Sequence, residues 1–335
     1  MNRHAVLTKP GNIQLEHYKP DFISPGDCVV EVCNTVVCNL DARAFQGYKT
    51  RLKLNNPIVL GHEISGRVLQ PGNSGIAEGK LVSIIGSSFC NDCAFCRHGL
   101  PLQCANFQIS CGGFSDQIVI PQAWTKWRLV PIPSDTNTVS AAYLDSIACI
   151  ITAINQALIQ KHQRLLILGS GFMAFLFRAI AQLKELDVTT VGSTSYTDTL
   201  CALANQVRFS DEKILHDVKM PFDVIVDFGI ITKQPFALNK LLRPAGKYLS
   251  LSRRSSVLLD DLGQIYENQY HLLHSFHSDL HNRLEAVQYL NPLSEMINTI
   301  SQSHSIENIQ DALVRVANRT SARCHIDFTT SGVIK

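Results

Sequence analysis

Four cysteines fall within fifteen residues: Cys90-Asn91-Asp92-Cys93-Ala94-Phe95-Cys96, then Cys104, a Cys-x2-Cys-x2-Cys-x7-Cys run. Thiolates this close together can surround one ion tetrahedrally, and a loop with so few apolar residues gains its order from those bonds. The alternative is four reduced thiols in a surface loop. Three of the four recur at a strict three-residue interval, which favours zinc. With Cys90, Cys93, Cys96 and Cys104 all engaged, no position stays open for water or substrate, so the expected ion is structural. The chain has eleven cysteines, an odd number that fits a reducing compartment better than a disulfide framework, and a cytoplasmic protein is expected.

At 335 residues the chain exceeds the size at which one core usually stops growing, so two domains are expected. No apolar run approaches the roughly eighteen residues of a membrane span, and no export signal is read at the start. The formal net charge of +2, with no basic stripe, points to a small-molecule partner and not to nucleic acid or a membrane. Short β-rich runs open the chain: His4 to Thr8, Ile13 to Glu16, and Cys28 to Val32 after the turn Pro25-Gly26-Asp27. Near Asn137 the pattern changes. Val139 to Ile159 is apolar at helical spacing, and strands then alternate with helices: Leu165 to Leu168, a helix from Phe172 to Leu183, Val188 to Val191, Val224 to Val226 and Tyr248 to Leu251. Such alternation predicts a parallel sheet covered on both faces. An amphipathic helix, Ile306 to Ala317, and a strand, Cys324 to Phe328, close the chain.

Upstream of the cysteine run, Cys38 ends a β-run and Gly61-His62-Glu63 follows the strand Ile58-Val59-Leu60. A lone His beside a Glu is ordinarily just a polar pair. The order Cys38, Gly61-His62-Glu63, the four-cysteine lobe, Gly112-Gly113-Phe114-Ser115-Asp116 and then a glycine fingerprint, however, resembles the zinc-containing medium-chain dehydrogenase/reductase superfamily over nearly the whole chain. That resemblance implies a catalytic zinc on Cys38 and His62, with a third ligand from the segment Ala141 to Cys149. Asp145 takes that position, and Glu63 is a second carboxylate able to bind the metal when water or substrate leaves. Three mixed ligands leave a fourth position open for Lewis-acid chemistry. A helix-start carboxylate favoured by the dipole is the plainer account of Asp145, and an orienting partner that of Glu63. One departure stands out: Leu40 occupies the place of the family's Ser or Thr proton relay, and leucine cannot relay a proton.

Gly169-Ser170-Gly171-Phe172-Met173-Ala174 lies between a strand and a helix, the setting in which a Gly-x-Gly-x-x-Ala run binds a dinucleotide pyrophosphate. Gly169 permits the turn, Gly171 lets backbone N–H groups approach the phosphates, and Phe172 and Met173 open the helix. At the tip of the next strand an NAD enzyme places an acid for the ribose. Here Gly192-Ser193-Thr194 offers none, which favours NADP(H) over NAD(H), with Arg208 as a possible phosphate partner; an aspartate at Gly192 should shift the ratio toward NADH. Arg253-Arg254 follows a later strand and could meet a phosphate or carboxylate, or simply face water.

The expected architecture is α/β: a GroES-like, partly open β-barrel catalytic domain over 1–140 and 285–335, and a Rossmann-type, doubly wound parallel-sheet domain over 141–284. The expected activity is hydride transfer between NAD(P)(H) and an alcohol, polyol or carbonyl, with two Zn2+ per chain and a homodimeric or homotetrameric assembly. A reductase of a phosphorylated sugar or polyol, suggested by Arg43 and the Arg253-Arg254 pair, and a non-catalytic zinc-fold binding protein, suggested by Leu40, are the alternatives.

Overall fold

In the computed structural model the described residues are 2–19, 23–48, 57–192, 209–210, 218–229, 236–252, 257–258 and 262–329. Their contacts divide the chain into two compact units, 1–148 with 279–335, and 149–278. The sequence pattern put the joins at 140/141 and 284/285. The first join falls inside the helix Leu144–Gln156, whose opening turn belongs to the first unit, so a change in hydrophobic period could not locate it.

The first unit is built on the strand Cys28–Val37, in which every residue but Glu31 is buried. Side chains on both of its faces are buried, which is why the run is apolar almost throughout and not alternating. One neighbour is Glu63–Gln70, which pairs in turn with Leu81–Ile85; the others are Arg323–Asp327, along its second half, and Gln117–Ile120, along its first. Cys324 lies opposite Val37 and Asp327 opposite Asn34, so the end of the chain completes a sheet begun near its start. The helix Ile309–Ala317 buries Ile309, Ala312, Leu313 and Val316, the stripe that a spacing of three and four residues produces.

In the second unit six parallel strands take the order Phe209–Ser210, Asp187–Val191, Arg164–Leu168, Phe222–Asp227, Leu242–Ser250, His271–His274. This is the doubly wound 3-2-1-4-5-6 arrangement. Leu165 to Leu168 and Val224 to Val226 are fully buried, as central parallel strands must be. Asp227, at a strand end, accepts hydrogen bonds from Tyr248 Oη at 2.5 Å and from Gly229 N at 2.7 Å, a structural tie.

The helical run expected over Val139 to Ile159 is instead two helices, Thr138–Ala142 and Leu144–Gln156. Asn137 caps the first, accepting from the N–H groups of Val139 and Ser140. Tyr143 leaves helical geometry (φ −84°, ψ 1°), and its hydroxyl donates to Ser301 Oγ at 2.6 Å. Ser301 Oγ lies 2.8 Å from His325 Nδ1. The serine, accepting from Tyr143, keeps both its own proton and a second lone pair for that nitrogen, so the direction of this bond follows the His325 tautomer. All three residues are buried, and burial lowers the His325 pKa to about 4.

A histidine depressed in the fold stays neutral there while the unfolded chain takes a proton, so its contribution is complete above about pH 6.5 and is lost as pH falls toward 4. Denaturant unfolding between pH 7 and 4 should therefore show the wild-type chain losing roughly 2–3 kcal/mol more than His325→Asn. Parallel stability curves would contradict a neutral, buried His325.

Candidate functional site

Cys38 is the N-cap of the helix Asn39–Phe45, a position usually held by Ser, Thr, Asp or Asn. Its Sγ accepts from Leu40 N at 3.1 Å, and Asp41 returns a bond, its Oδ2 accepting from Cys38 N at 3.1 Å. This is a capping box with sulfur in place of the hydroxyl. Asp41 is fully buried, and its other oxygen accepts from Gly61 N at 3.1 Å. Gly61 has a φ of +87°, and a Cβ there would come within 2.8 Å of Thr35 Cγ2 and 2.9 Å of Phe114 N. Only glycine allows that turn. The same turn carries the next residue, His62, to the mouth of the cap.

His62 Nε2 lies 3.5 Å from Cys38 Sγ, and its Nδ1 lies 3.4 Å from Asp41 Oδ1. The second separation is an ion-pair distance, longer than a tight hydrogen bond, and Nδ1 has no hydrogen-bond partner among the described residues. Burial disfavours a charged imidazole, yet Cys38 and Asp41 together push the His62 pKa well above its ordinary value. Burial raises the Cys38 thiol, with Asp41 adding to the effect; Asp41 itself, despite burial, is held low by His62 and the two backbone N–H groups. A thiol and an imidazole placed this way can share either a proton or a metal ion. A tetrahedral zinc, with bonds of about 2.3 Å to sulfur and about 2.0–2.1 Å to nitrogen, holds such atoms about 3.5–3.6 Å apart. The observed 3.5 Å fits.

Cys38, Asp41 and His62 form one of two compact groups of metal-capable atoms among the described residues; Glu63 and Asp145 are not members. Asp41 was not singled out from the sequence. The signal was present in Cys38-x-x-Asp41, which has the spacing of a capping box. Glu63 and Asp145 are nonetheless both buried, and the charges of His62, Asp145 and Asp41 all act on Glu63. Ser146, at the start of the helix Leu144–Gln156, donates to Glu63 Oε1 at 3.1 Å, while Oε2 has no hydrogen-bond partner among the described residues. Burial first, with Asp145 and Asp41 adding to it, raises the Glu63 pKa against the opposing charges of Arg323 and His62. Arg43 is exposed and sits over the Tyr48 ring at 5.2 Å.

The second group is Cys90, Cys93, Cys96 and Cys104, whose sulfurs all lie within 4.8 Å of one another. Cys104 Sγ is 3.4 Å from Cys90 Sγ and 4.0 Å from Cys93 Sγ. Around one tetrahedral zinc the separation would be about 3.8 Å. Backbone N–H groups of Asp92 and Cys93 lower the Cys90 pKa to about 6. Phe89 supports the lobe from below, with the Phe107 and Trp127 rings each 6.2 Å away.

In the second unit Gly169 follows the strand Arg164–Leu168 with a φ of +147°, and its N–H donates to Val191 O at 2.8 Å. Gly171 is the N-cap of the helix Phe172–Leu183; no side chain caps that first turn, and a Cβ on Gly171 would meet nothing within 4 Å. Such an uncapped, open helix start suits a phosphate. Gly192 has a different role from the one read in the sequence. A Cβ there would lie 2.7 Å from Ser170 Cβ and 3.0 Å from the carbonyl carbon and oxygen of Gly169. Close packing on the turn requires glycine at 192, so the missing acid is a steric matter as much as an electrostatic one. Ser193, Thr194, Arg208 and Arg253-Arg254 lie outside the described residues.

The alcohol dehydrogenase GroES-like domain family matches residues 24–134. The chain is 28% identical over 211 residues to an L-threonine 3-dehydrogenase of Streptomyces avermitilis, covering 60% of this chain and 59% of that one. It is 26% identical over 153 residues to the L-idonate 5-dehydrogenase (NAD(P)(+)) of Escherichia coli, covering 43% of each. It is 23% identical to D-arabinitol dehydrogenase 1 of Uromyces fabae over 93% of both chains. The chain thus spans at most 59% of the length of the first two relatives. In fold it is similar to a zinc-binding dehydrogenase of Sinorhizobium meliloti solved with NADP (TM-score 0.82, 20% identity, 98% and 99% of the two chains). It is similar too to the solved E. coli L-idonate 5-dehydrogenase (TM-score 0.83, 18% identity, 98% of each). No helix among the described residues is long and apolar enough to cross a membrane. Residues 24–134 thus match the alcohol dehydrogenase GroES-like domain, and the chain as a whole, with its doubly wound parallel sheet, is similar in fold to solved zinc-binding dehydrogenases.

Proposed function

We propose that the chain is a zinc-dependent dehydrogenase that moves hydride between a nicotinamide cofactor, NADP(H) in preference to NAD(H), and a secondary alcohol or polyol and its carbonyl form. The observation that carries this reading is the buried Cys38–His62 pair, 3.5 Å apart and backed by Asp41, in the same unit as a separate four-thiolate cluster. Cys38 Sγ and His62 Nε2 would hold the catalytic ion, with Asp145 and Glu63 as the carboxylates available to complete its shell. Bound there, zinc supplies Lewis acidity toward an alcohol or carbonyl oxygen, and the nicotinamide gives or takes the hydride. Cys90, Cys93, Cys96 and Cys104 would hold a second, structural ion. Relatives named for L-threonine, L-idonate and D-arabinitol support a substrate carrying several polar groups.

The residues of the site divide the work. Asp41 fixes the His62 ring so that Nε2 faces the thiol. Leu40, half-buried against the core, moves no proton. Glu63, held by Ser146 at one oxygen and open at the other, is a carboxyl whose raised pKa suits taking up and releasing one. In the second unit the bare start of the helix Phe172–Leu183 would take the pyrophosphate, with Gly171 leaving room for it.

Metal analysis of protein purified without chelator should give close to two zinc ions per chain, and a panel of ketoses and keto acids should include one that oxidises NADPH, followed by its absorbance. Cys38→Ser should lose one ion and at least about 99% of turnover while keeping its fold; Cys93→Ser should lose the other ion and fold poorly. Loss of the same ion from both variants, or turnover surviving in Cys38→Ser, would contradict the division of the sites. Gly192→Asp should fail to convert the enzyme to NADH. With its Cβ driven against Gly169 and Ser170, it should lower the melting temperature by several degrees and weaken both cofactors. A stable variant with improved NADH kinetics would show that the turn can yield.

A further inference from the structure

Arg128 ends the helix Gln122–Arg128 and is only 4% exposed. Its Nε donates to Ile85 O at 3.1 Å, but its Nη2 is buried with no hydrogen-bond partner among the described residues. Among the described residues no ion pair forms there, and the charges acting on the guanidinium are those of a partly buried thiol, Cys111, and a second guanidinium, Arg283. Arg283 is fully buried, donates to Trp127 O and Ser87 Oγ at 2.6 Å each, and lies over the Phe89 ring at 5.1 Å. Burial accordingly lowers the Arg128 pKa to about 10. Holding a cation in the interior without a partner anion costs stability, and a purely structural role would be served as well by a neutral donor to Ile85.

The position of Arg128 gives that cost a purpose. Ile85, which anchors it, lies opposite Glu63 in the antiparallel ladder. The next residue, Gly86, packs so tightly on His62 that a Cβ would come within 2.9 Å of His62 Cβ. Gly86 O accepts from Ser110 N at 2.8 Å, and the following residue, Cys111, feels the charges of His62, Asp41, Cys38 and Arg128 alike. The carbonyl that holds the guanidinium thus belongs to the strand paired with the one that Glu63 begins, next to His62. We propose that Arg128 receives an anionic group, a carboxylate or a phosphate, on the molecule handled at the Cys38–His62 pair. The assignment rests on the dehydrogenase reading for its catalytic meaning, but the anion site itself can be tested without turnover.

The test is thermal unfolding of the full zinc-loaded chain with malonate or inorganic phosphate, against chloride at equal ionic strength. Wild type should be stabilised by one of the two anions, and which one tells carboxylate from phosphate recognition. Arg128→Gln, which keeps a donor for Ile85, should need about tenfold or more of that anion for the same shift, and Arg128→Lys should stay within about threefold of wild type. Without anion, Arg128→Gln should melt no lower than wild type, since it buries no charge. The shift should persist in Cys38→Ser, where no catalytic ion can take the anion. The proposal is overturned if neither anion acts beyond chloride, if Arg128→Gln responds as wild type does, or if the response disappears in Cys38→Ser. Anion binding without turnover on any carbonyl would leave the site standing and count against the dehydrogenase reading alone.

Discussion

A single buried carboxylate, that of Asp41, joins the parts of the candidate metal centre. One oxygen takes the N–H of Cys38, the other takes the N–H of Gly61 and faces the ring of His62. The cap of a helix and the tight turn before a strand, more than twenty residues apart in the chain, are thereby held against one anion. Each hydrogen bond to a buried charge is worth about 1.5–3 kcal/mol, and a carboxylate left without them would be costly, so cap, turn and ring stand or fall together. The geometry that results presents sulfur and nitrogen at the spacing a tetrahedral ion requires, before any ion is considered.

The two thiolate-bearing groups show how differently a chain can make a metal site. In the lobe from Cys90 to Cys104 the ligands are neighbours in sequence, little apolar surface is buried, and the ion would supply most of the order. At Cys38 and His62 the scaffold is the core of the first unit, with Val37, Leu60 and Phe114 fully buried around it. The first is expected to lose its fold with its metal, the second only its chemistry. Arg128 extends the contrast, being a charge buried beside that core with no anion of the described chain to neutralise it.

Much of this was legible in the residues. Runs such as Leu165 to Leu168 and the helix Phe172–Leu183 follow from hydrophobic period and from the glycines that bound them, and of the four side chains read as a catalytic metal site, Cys38 and His62 lie in one compact group while Glu63 and Asp145 are not members of it. What escaped depends on contacts between distant segments. Asp41 looked like one polar residue in a helix because its partners, Gly61 and His62, come from another element. Tyr143 breaks a helix that period alone would continue, through a bond to Ser301 over 150 residues away. Gly192 was read as a missing acid, whereas its closest neighbours are the turn residues Gly169 and Ser170, a contact no linear pattern reveals.

The account rests on Asp41 setting the affinity of Cys38 and His62 for metal. Competition between Asp41→Asn and a calibrated chelator, with the two ions resolved by their release, tests this most directly. The carboxamide keeps the size of the side chain and removes its charge, so the Cys38–His62 ion should bind about 10–100-fold more weakly while the four-thiolate ion is held as before. Equal affinity in the variant and the wild type would contradict the account, because His62 would then be oriented by something other than the carboxylate behind it.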